Sequence, residues 1–232
     1  MAAAPPLYEQ LRRQDRGRFL TALFAPQPAR DELIALYAFA AEIARVPYLV
    51  KEPGLGAIRL QWWRDGLDGV AAGMPPQHPV LEALGQAQRR KPWRFDLLRC
   101  ALDARERELD PTPLANLAAC ESHAREAAAT VVLAALDRLG TERSADIEVG
   151  QAVGIAVGLA ELAGGRLAPP LAVEAAARSR ELTAEARARR SEISRRSLPA
   201  LLAARLTEAR RDRRPDGLLA ARLIWANWTG RY

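Results

Sequence analysis

Prolines and glycines divide this 232-residue sequence into segments of the length that helices have in globular proteins. Apolar residues make up 49% of the chain but aromatic residues only 6%, so any core must consist mainly of Ala, Leu, Val and Ile. Alanine-rich segments with few β-branched runs favour helix over strand. The sequence therefore predicts an all-α fold. We expect one domain over residues 1–232, because we find no internal repeat and no low-complexity linker.

The breaks also predict where the helices lie. Pro47 is expected to end the second helix, because proline lacks an N–H and clashes with the preceding turn. Gly140 is expected to stop the sixth. Trp62 and Trp63 belong to an apolar stripe that is expected to be core. The predicted helices are Leu7–Phe24, Asp31–Val46, Leu55–Val70, Val80–Arg89, Arg94–Leu109, Leu114–Leu139 and Ala145–Leu162, with two or three more in the remainder.

The net charge of +6 comes from one segment. Residues 178–214 hold 12 arginines against five acids, a local excess of +7, so the rest of the chain is near −1. We expect a basic C-terminal helical segment with a solvated face, and contact with an anionic membrane surface stays open. Nucleic acid is not an expected partner, because no aromatic residues are interleaved with these arginines.

The metal-binding residue types are isolated. Cys100 and Cys120 lack the CxxC spacing, and His78 and His123 are lone histidines, so the sequence shows no zinc or haem pattern and no metal site is expected. The first residues lack a basic stretch followed by an apolar core, so we expect no signal peptide. The expected location is cytoplasmic.

Three glycines recur every four residues at Gly150, Gly154 and Gly158. They share one face of a predicted helix, where missing side chains allow a neighbouring backbone to approach closely. The spacing differs from that of a phosphate-binding GxGxxG loop, and it lies in mid-helix. Close helix packing is the prediction.

Several blocks of sequence resemble the squalene/phytoene synthase family in residue identity, order and spacing. The blocks are Arg18–Phe24, Arg30 with Leu36–Phe39, Glu52–Leu67 and His78–Leu84, and the resemblance is most specific over Arg59–Leu67. The resemblance covers roughly residues 8–172 and fades in the Arg-rich part. It implies a single isoprenoid-synthase-type helical bundle around a central cavity.

The resemblance also implies which residues should carry chemistry. Active members condense two prenyl diphosphates with Mg²⁺ held by two aspartate-rich motifs, each with acids four residues apart; Mg²⁺ requires such oxygen ligands. The motif positions are degenerate in this chain: the first motif falls on Ala44 and Tyr48, its upstream arginine on Ala41, and the second motif on Glu161, Gly165 and Pro169. The residues implied to line the cavity are Tyr37, Ala41, Ala44, Gly158 and Glu161.

One carboxylate cannot build a site for several magnesium ions. The prediction is therefore a non-catalytic member without cofactor, in the branch that resembles the phytoene-synthase-like mitochondrial complex I assembly factor. That resemblance implies a complex I subunit as partner and a location peripheral to the inner membrane. Glu42 is interpreted as a surface or salt-bridging acid.

Two alternatives stay open. A prenyltransferase with an atypical magnesium site would recruit acids from Glu42, Asp65, Asp68 and Glu161. An isoprenoid- or lipid-binding module would hold a quinone or polyprenyl chain in the inherited cavity without turning it over.

Three aromatic residues, Trp225, Trp228 and Tyr232, lie within eight positions of one another. Aromatic side chains frequently anchor protein interfaces. They are candidates for docking a partner, and folding back onto the bundle is the favoured alternative.

Overall fold

The structure is a computed structural model that describes residues 5–50, 52–206, 216–230 and 232. Throughout these residues the regular elements are helical, with no strand among them, which confirms the all-α fold. The chain forms two compact units, Met1–Thr112 and Pro113–Tyr232.

The first unit is organised around its longest helix. Helix α3 contacts every other helix of the unit, and its first turn carries Asp31 and Glu32, which suit the positive end of the helix dipole. The helices are α1 Pro5–Gln14, α2 Arg16–Ala22, α3 Ala29–Leu49, α4 Pro53–Ala71, α5 Pro79–Gln88 and α6 Phe95–Arg107.

Two predicted boundaries in this unit are wrong. The first predicted helix is broken at Asp15, whose side chain accepts a hydrogen bond from the Arg18 N–H at 2.9 Å and caps a new helix. Pro47 does not end α3, which continues to Leu49. Near the end of a helix, the missing N–H of Pro47 removes only the bond to the Ile43 carbonyl, and few turns remain to be disturbed.

The second unit is organised in the same way around α9. This helix contacts α7, α8, α10, α11 and the π-helical turn between α7 and α8. The elements are α7 Leu117–Ala124, the π turn Arg125–Ala129, α8 Thr130–Arg138, α9 Ser144–Ala163, α10 Pro169–Ala188, a 3₁₀ turn Arg195–Ser197, α11 Leu198–Leu201 and α12 Asp216–Thr229.

The predicted helix Leu114–Leu139 is wrong at its start and in its middle. It begins at Leu117, because the Asn116 side chain accepts a hydrogen bond from the Ala119 N–H at 2.9 Å and caps it. A π turn of five residues then interrupts it. Its end is as predicted, since Gly140 follows α8 with a φ of 70° that favours glycine.

Close packing of the three α9 glycines is confirmed. A Cβ on Gly154 would overlap the Cα of Ala129 in the π turn, and one on Gly158 would lie 2.6 Å from the Cβ of Ala124. A Cβ on Gly150 would overlap the side chain of Leu136. The glycines therefore allow α9 to approach the α7–α8 segment closely, and the core on this side consists largely of alanine, leucine and isoleucine.

Candidate functional site

Tyr37 lies in the interior of the first unit, at the middle of α3. Burial raises the pKa of its phenol to about 12, while the charge of Arg18 and a hydrogen bond with the Thr21 side chain act in the opposite direction. Both of these neighbours belong to α2. The Tyr37 hydroxyl group is thus held neutral against α2 at ordinary pH.

The three first-motif positions follow Tyr37 along α3 without supplying a carboxylate. Ala41 is buried and Ala44 is half-buried. Tyr48 is 69% exposed, so the uncharged face predicted for these positions does not continue as core to the end of the helix. The lining of a central cavity by Tyr37, Ala41 and Ala44 stays a prediction.

The carboxylates that α3 does carry are engaged elsewhere in the first unit. Asp31 accepts a hydrogen bond from the Tyr8 hydroxyl group, and Glu32 pairs with Arg90 at 3.0 Å. Glu42 accepts hydrogen bonds from the side-chain amides of Gln10 and Gln14, each at 2.6 Å.

Glu42 therefore does not form the predicted surface or salt-bridging contact. It is a half-buried carboxylate that joins α1 to α3 through neutral amide donors. This cluster was not predicted from the sequence. The spacing of Gln10 and Gln14, one helical turn apart, was the available signal, since such residues project from one face.

A second cluster that the sequence did not indicate surrounds His78. Its ring centroid lies 5.4 Å from that of Trp62 and 5.1 Å from that of Trp63, both edge-on. Burial lowers the pKa of His78, and the charges of Glu42 and Glu82 oppose this shift. The imidazole therefore packs as a neutral ring beside the two indoles of α4.

The second-motif positions lie at the end of α9 and the start of α10, in the other unit. Glu161 is half-buried in the last turn of α9, and Gly165 is exposed in the turn that follows. Pro169 is the first residue of α10, where proline is well tolerated. The contact of Gly158 with Ala124 occupies the direction in which its side chain would point, so its place in a cavity wall stays a prediction.

These residues do not fit a magnesium–diphosphate site. Mg²⁺ is bound through hard oxygen ligands, usually carboxylates and phosphates, in octahedral geometry. Two alanines and an exposed tyrosine on α3 supply no carboxylate, and the second-motif positions supply one. Across the described ranges, no group of three or more His, Cys, Asp or Glu side chains is arranged to hold a metal ion.

The acids that a prenyltransferase would recruit from α4 have other partners. Asp65 accepts a hydrogen bond from Gln61 at 2.6 Å, and Asp68 pairs with Arg99 of α6 at 2.6 Å. Both carboxylates are exposed on the surface of α4. Each of these carboxylates therefore makes a side-chain contact at the surface of α4.

The three aromatic residues near the C-terminus, Trp225 and Trp228 of α12 and Tyr232 beyond it, differ in their exposure to solvent. Tyr232 is buried; its hydroxyl group donates to the Ala186 carbonyl at 2.7 Å, and its own carbonyl accepts from Arg187 Nε at 2.6 Å. Burial raises the pKa of Tyr232 to about 12. Folding back is confirmed for Tyr232, whereas Trp225 and Trp228 are exposed, Trp228 by 77%.

The basic segment 178–214 is described as far as residue 206, and residues 207–214 lie outside the described residues. Arg178 of α10 bonds to Glu121 at 2.8 Å and also contacts Glu181 and Glu185. Arg189 pairs with Glu148 and with Glu192, each at 2.9 Å. Part of the positive charge is therefore neutralised within the second unit.

None of the helices in the described ranges combines the length and the apolar character that crossing a bilayer requires.

Comparison with known proteins agrees with the resemblance seen in the motifs. The family model for squalene/phytoene synthase matches residues 11–164. Two solved structures share the fold, which confirms the predicted isoprenoid-synthase type. Squalene synthase HpnC from Alicyclobacillus acidocaldarius has a TM-score of 0.72 at 14% identity, covering 96% of this chain and 93% of that one. A dehydrosqualene synthase in complex with ligand has a TM-score of 0.75 at 15% identity, covering 97% and 94%.

The curated relatives belong to the predicted branch. NADH dehydrogenase (ubiquinone) complex I, assembly factor 6 from Bos taurus is 31% identical over 132 residues, and the Homo sapiens protein is 30% identical over 132 residues. These matches cover 57% of this chain but 40% of each relative. The matched family model spans more than half of the chain. The chain therefore belongs to the squalene/phytoene synthase family.

Proposed function

We propose that this chain is a non-catalytic member of the family that assists the assembly of the respiratory NADH dehydrogenase, complex I. The observation that carries the proposal is the combination of a retained frame and missing ligands. The helices that hold the two motifs are each central to their unit, yet Ala44, Tyr48 and Gly165 stand where acids belong. The similarity to complex I assembly factors over 57% of the chain supports the assembly role.

The proposed role needs no magnesium and no other cofactor. It requires a protein partner, for which a subunit of complex I is proposed. Its place is the cytoplasmic side of the inner membrane, as a peripheral protein. Trp225 and Trp228, exposed on α12, supply one surface on which such a partner can dock, because large aromatic side chains contribute strongly to protein interfaces.

A prenyltransferase is the weaker proposal because of the partners of its acids. Glu42 is bonded to two glutamines, and Asp65 and Asp68 are bonded to Gln61 and Arg99. Recruiting Glu42 or Asp68 to magnesium would break contacts between helices of the first unit, and recruiting Asp65 would break a bond within α4. No comparable observation favours isoprenoid binding.

The assembly role is tested by deleting the gene in the organism that encodes it. We expect a loss of assembled complex I on native gels and of NADH-dependent quinone reduction. Succinate-dependent respiration should be unchanged, and the intact gene should restore complex I. A tagged copy should also co-purify with a complex I subunit. Unchanged complex I in the deletion strain would contradict the proposal.

A further inference from the structure

Helix α4 is apolar on two opposite faces. Its inner face packs in the first unit through buried side chains that include Leu60, Trp63 and Leu67. Its outer face carries Leu55, Ile58 and Trp62, which are 51%, 67% and 43% exposed. The positions i, i+3 and i+7 place these three side chains in one stripe. The expectation that Trp62 and Trp63 are core is therefore confirmed for Trp63 and wrong for Trp62, because α4 buries only its other face.

The end of α3 adds two exposed apolar side chains near the start of this stripe. Tyr48 and Leu49, the last two residues of that helix, are joined to α4 by residues 50–52 alone. So short a link keeps the two helix ends within about 13 Å of each other, given about 3.3 Å for each residue step. We call Tyr48, Leu49, Leu55, Ile58 and Trp62 the α4 outer face. Five large exposed apolar side chains on two consecutive helices are more than a scattering of single exposed residues.

Two exposed arginines lie beside this face, on α3 and α4. Arg45 and Arg59 are both exposed, and neither forms an ion pair or hydrogen bond with any residue that the structure describes. By contrast, Arg178 and Arg189 in the basic segment each bind two or more carboxylates. By sequence, residues 45–59 hold Arg45, Lys51 and Arg59 against Glu52, a net charge of +2.

We infer that the α4 outer face is a docking surface for an anionic lipid bilayer. Leucine and isoleucine supply the apolar area that enters the acyl boundary, and tryptophan and tyrosine prefer the interface between headgroups and acyl chains. The two arginines are attracted to the negative surface potential of the lipid headgroups. Trp62 is held against His78 and Trp63, so one anchor is already ordered before binding.

This inference deepens the peripheral location in the proposed function, and it names the surface that makes the contact. It differs from the earlier expectation, which placed membrane contact on the basic segment. Its test uses the purified protein and vesicles, so it can fail while the assembly role holds, and the reverse is also true.

The experiment is flotation of the full chain with vesicles of phosphatidylcholine, with and without about a third phosphatidylglycerol. The intact protein should float with the anionic vesicles and bind less to the neutral ones. The double variant Leu55→Gln, Ile58→Gln should bind both kinds about tenfold less, because apolar area is lost. The double variant Arg45→Gln, Arg59→Gln should lose on the order of tenfold on anionic vesicles and little on neutral ones.

The matched control is Val173→Gln, which replaces an exposed apolar side chain of α10. It should float as the intact protein does, and circular dichroism should show all variants folded, since the changed side chains are exposed. Absence of vesicle binding by the intact protein would overturn the inference and point to a protein partner for this face. Equal binding by the α4 variants, or a loss confined to Val173→Gln, would also overturn it.

Discussion

Two tyrosines, one in each unit, show how burial determines the protonation state of a side chain. The pKa of Tyr37 and that of Tyr232 are both raised to about 12, mainly by burial, from an ordinary value of about 10. In an unfolded chain these phenols would release their protons near pH 10. Between about pH 10 and 12 the unfolded state therefore binds fewer protons than the folded state.

Stability should consequently be complete below about pH 10 and should fall as the pH rises towards 12, by up to about 2 to 3 kcal/mol for each of these tyrosines. Arginine keeps its charge over this range, and it accounts for all but two of the 34 basic residues, so few other cations titrate. Urea unfolding at a series of pH values, with phenolate absorbance recorded in parallel, measures the effect. The variant Tyr37→Phe should show a shallower decline. A decline as steep as that of the intact chain would contradict the placement of Tyr37.

At the scale of elements, α9 approaches the π turn closely at Gly154. A methyl group on Gly154 would overlap the backbone of Ala129, which cannot move aside as a flexible side chain can. Gly154→Ala should therefore lower the free energy of unfolding by about 1 to 3 kcal/mol, although alanine is the better helix former.

Gly54→Ala is the control, because Gly54 also lies in a helix but has open space where its Cβ would be. It should leave stability unchanged or raise it by up to about 1 kcal/mol. Both are measured by urea unfolding monitored by circular dichroism. If Gly154→Ala proved as stable as the intact chain, the contact between α9 and the π turn would be looser than the structure indicates.

The sequence predicted which elements exist better than where they begin and end. Helix stops at glycines and the close contact of α9 were predictable, because positive φ and a missing side chain are properties of glycine itself. The break at Asp15 depends on a capping bond, and the passage of α3 through Pro47 depends on its place in the last turn. Both depend on hydrogen bonds at helix ends, and the sequence alone is compatible with more than one pattern of such bonds.

Only the missing acids of the candidate site were predictable from the sequence. The alanines and the glycine at the motif positions are read directly from the sequence. The partners of Glu42 and the exposure of the α4 outer face were not, because both depend on which side of a helix meets its neighbours. The spacing of apolar residues along α4 is compatible with burial of either face of the helix. Tertiary packing determines which face is buried.

At the scale of the whole molecule, the chain keeps the fold of the family at 14–15% identity to solved synthases. Fold alone does not determine function, since chemistry depends on the residues placed on it. Here the positions that match the two motifs carry one carboxylate, Glu161, while the helices around them keep a buried apolar core. The chain spans about 40% of the length of its mammalian relatives. The proposed function therefore claims that this chain keeps the scaffold without the diphosphate chemistry.

Isothermal titration calorimetry with farnesyl diphosphate, in the presence and absence of Mg²⁺, tests this claim most directly. An active squalene synthase of the family is the positive control in the same buffers. We expect that Mg²⁺ makes no difference to the heat of binding for this chain, because Ala44, Tyr48, Gly165 and Pro169 stand at matched ligand positions and leave one carboxylate, Glu161. Binding that requires Mg²⁺ and is abolished by a chelator would contradict it.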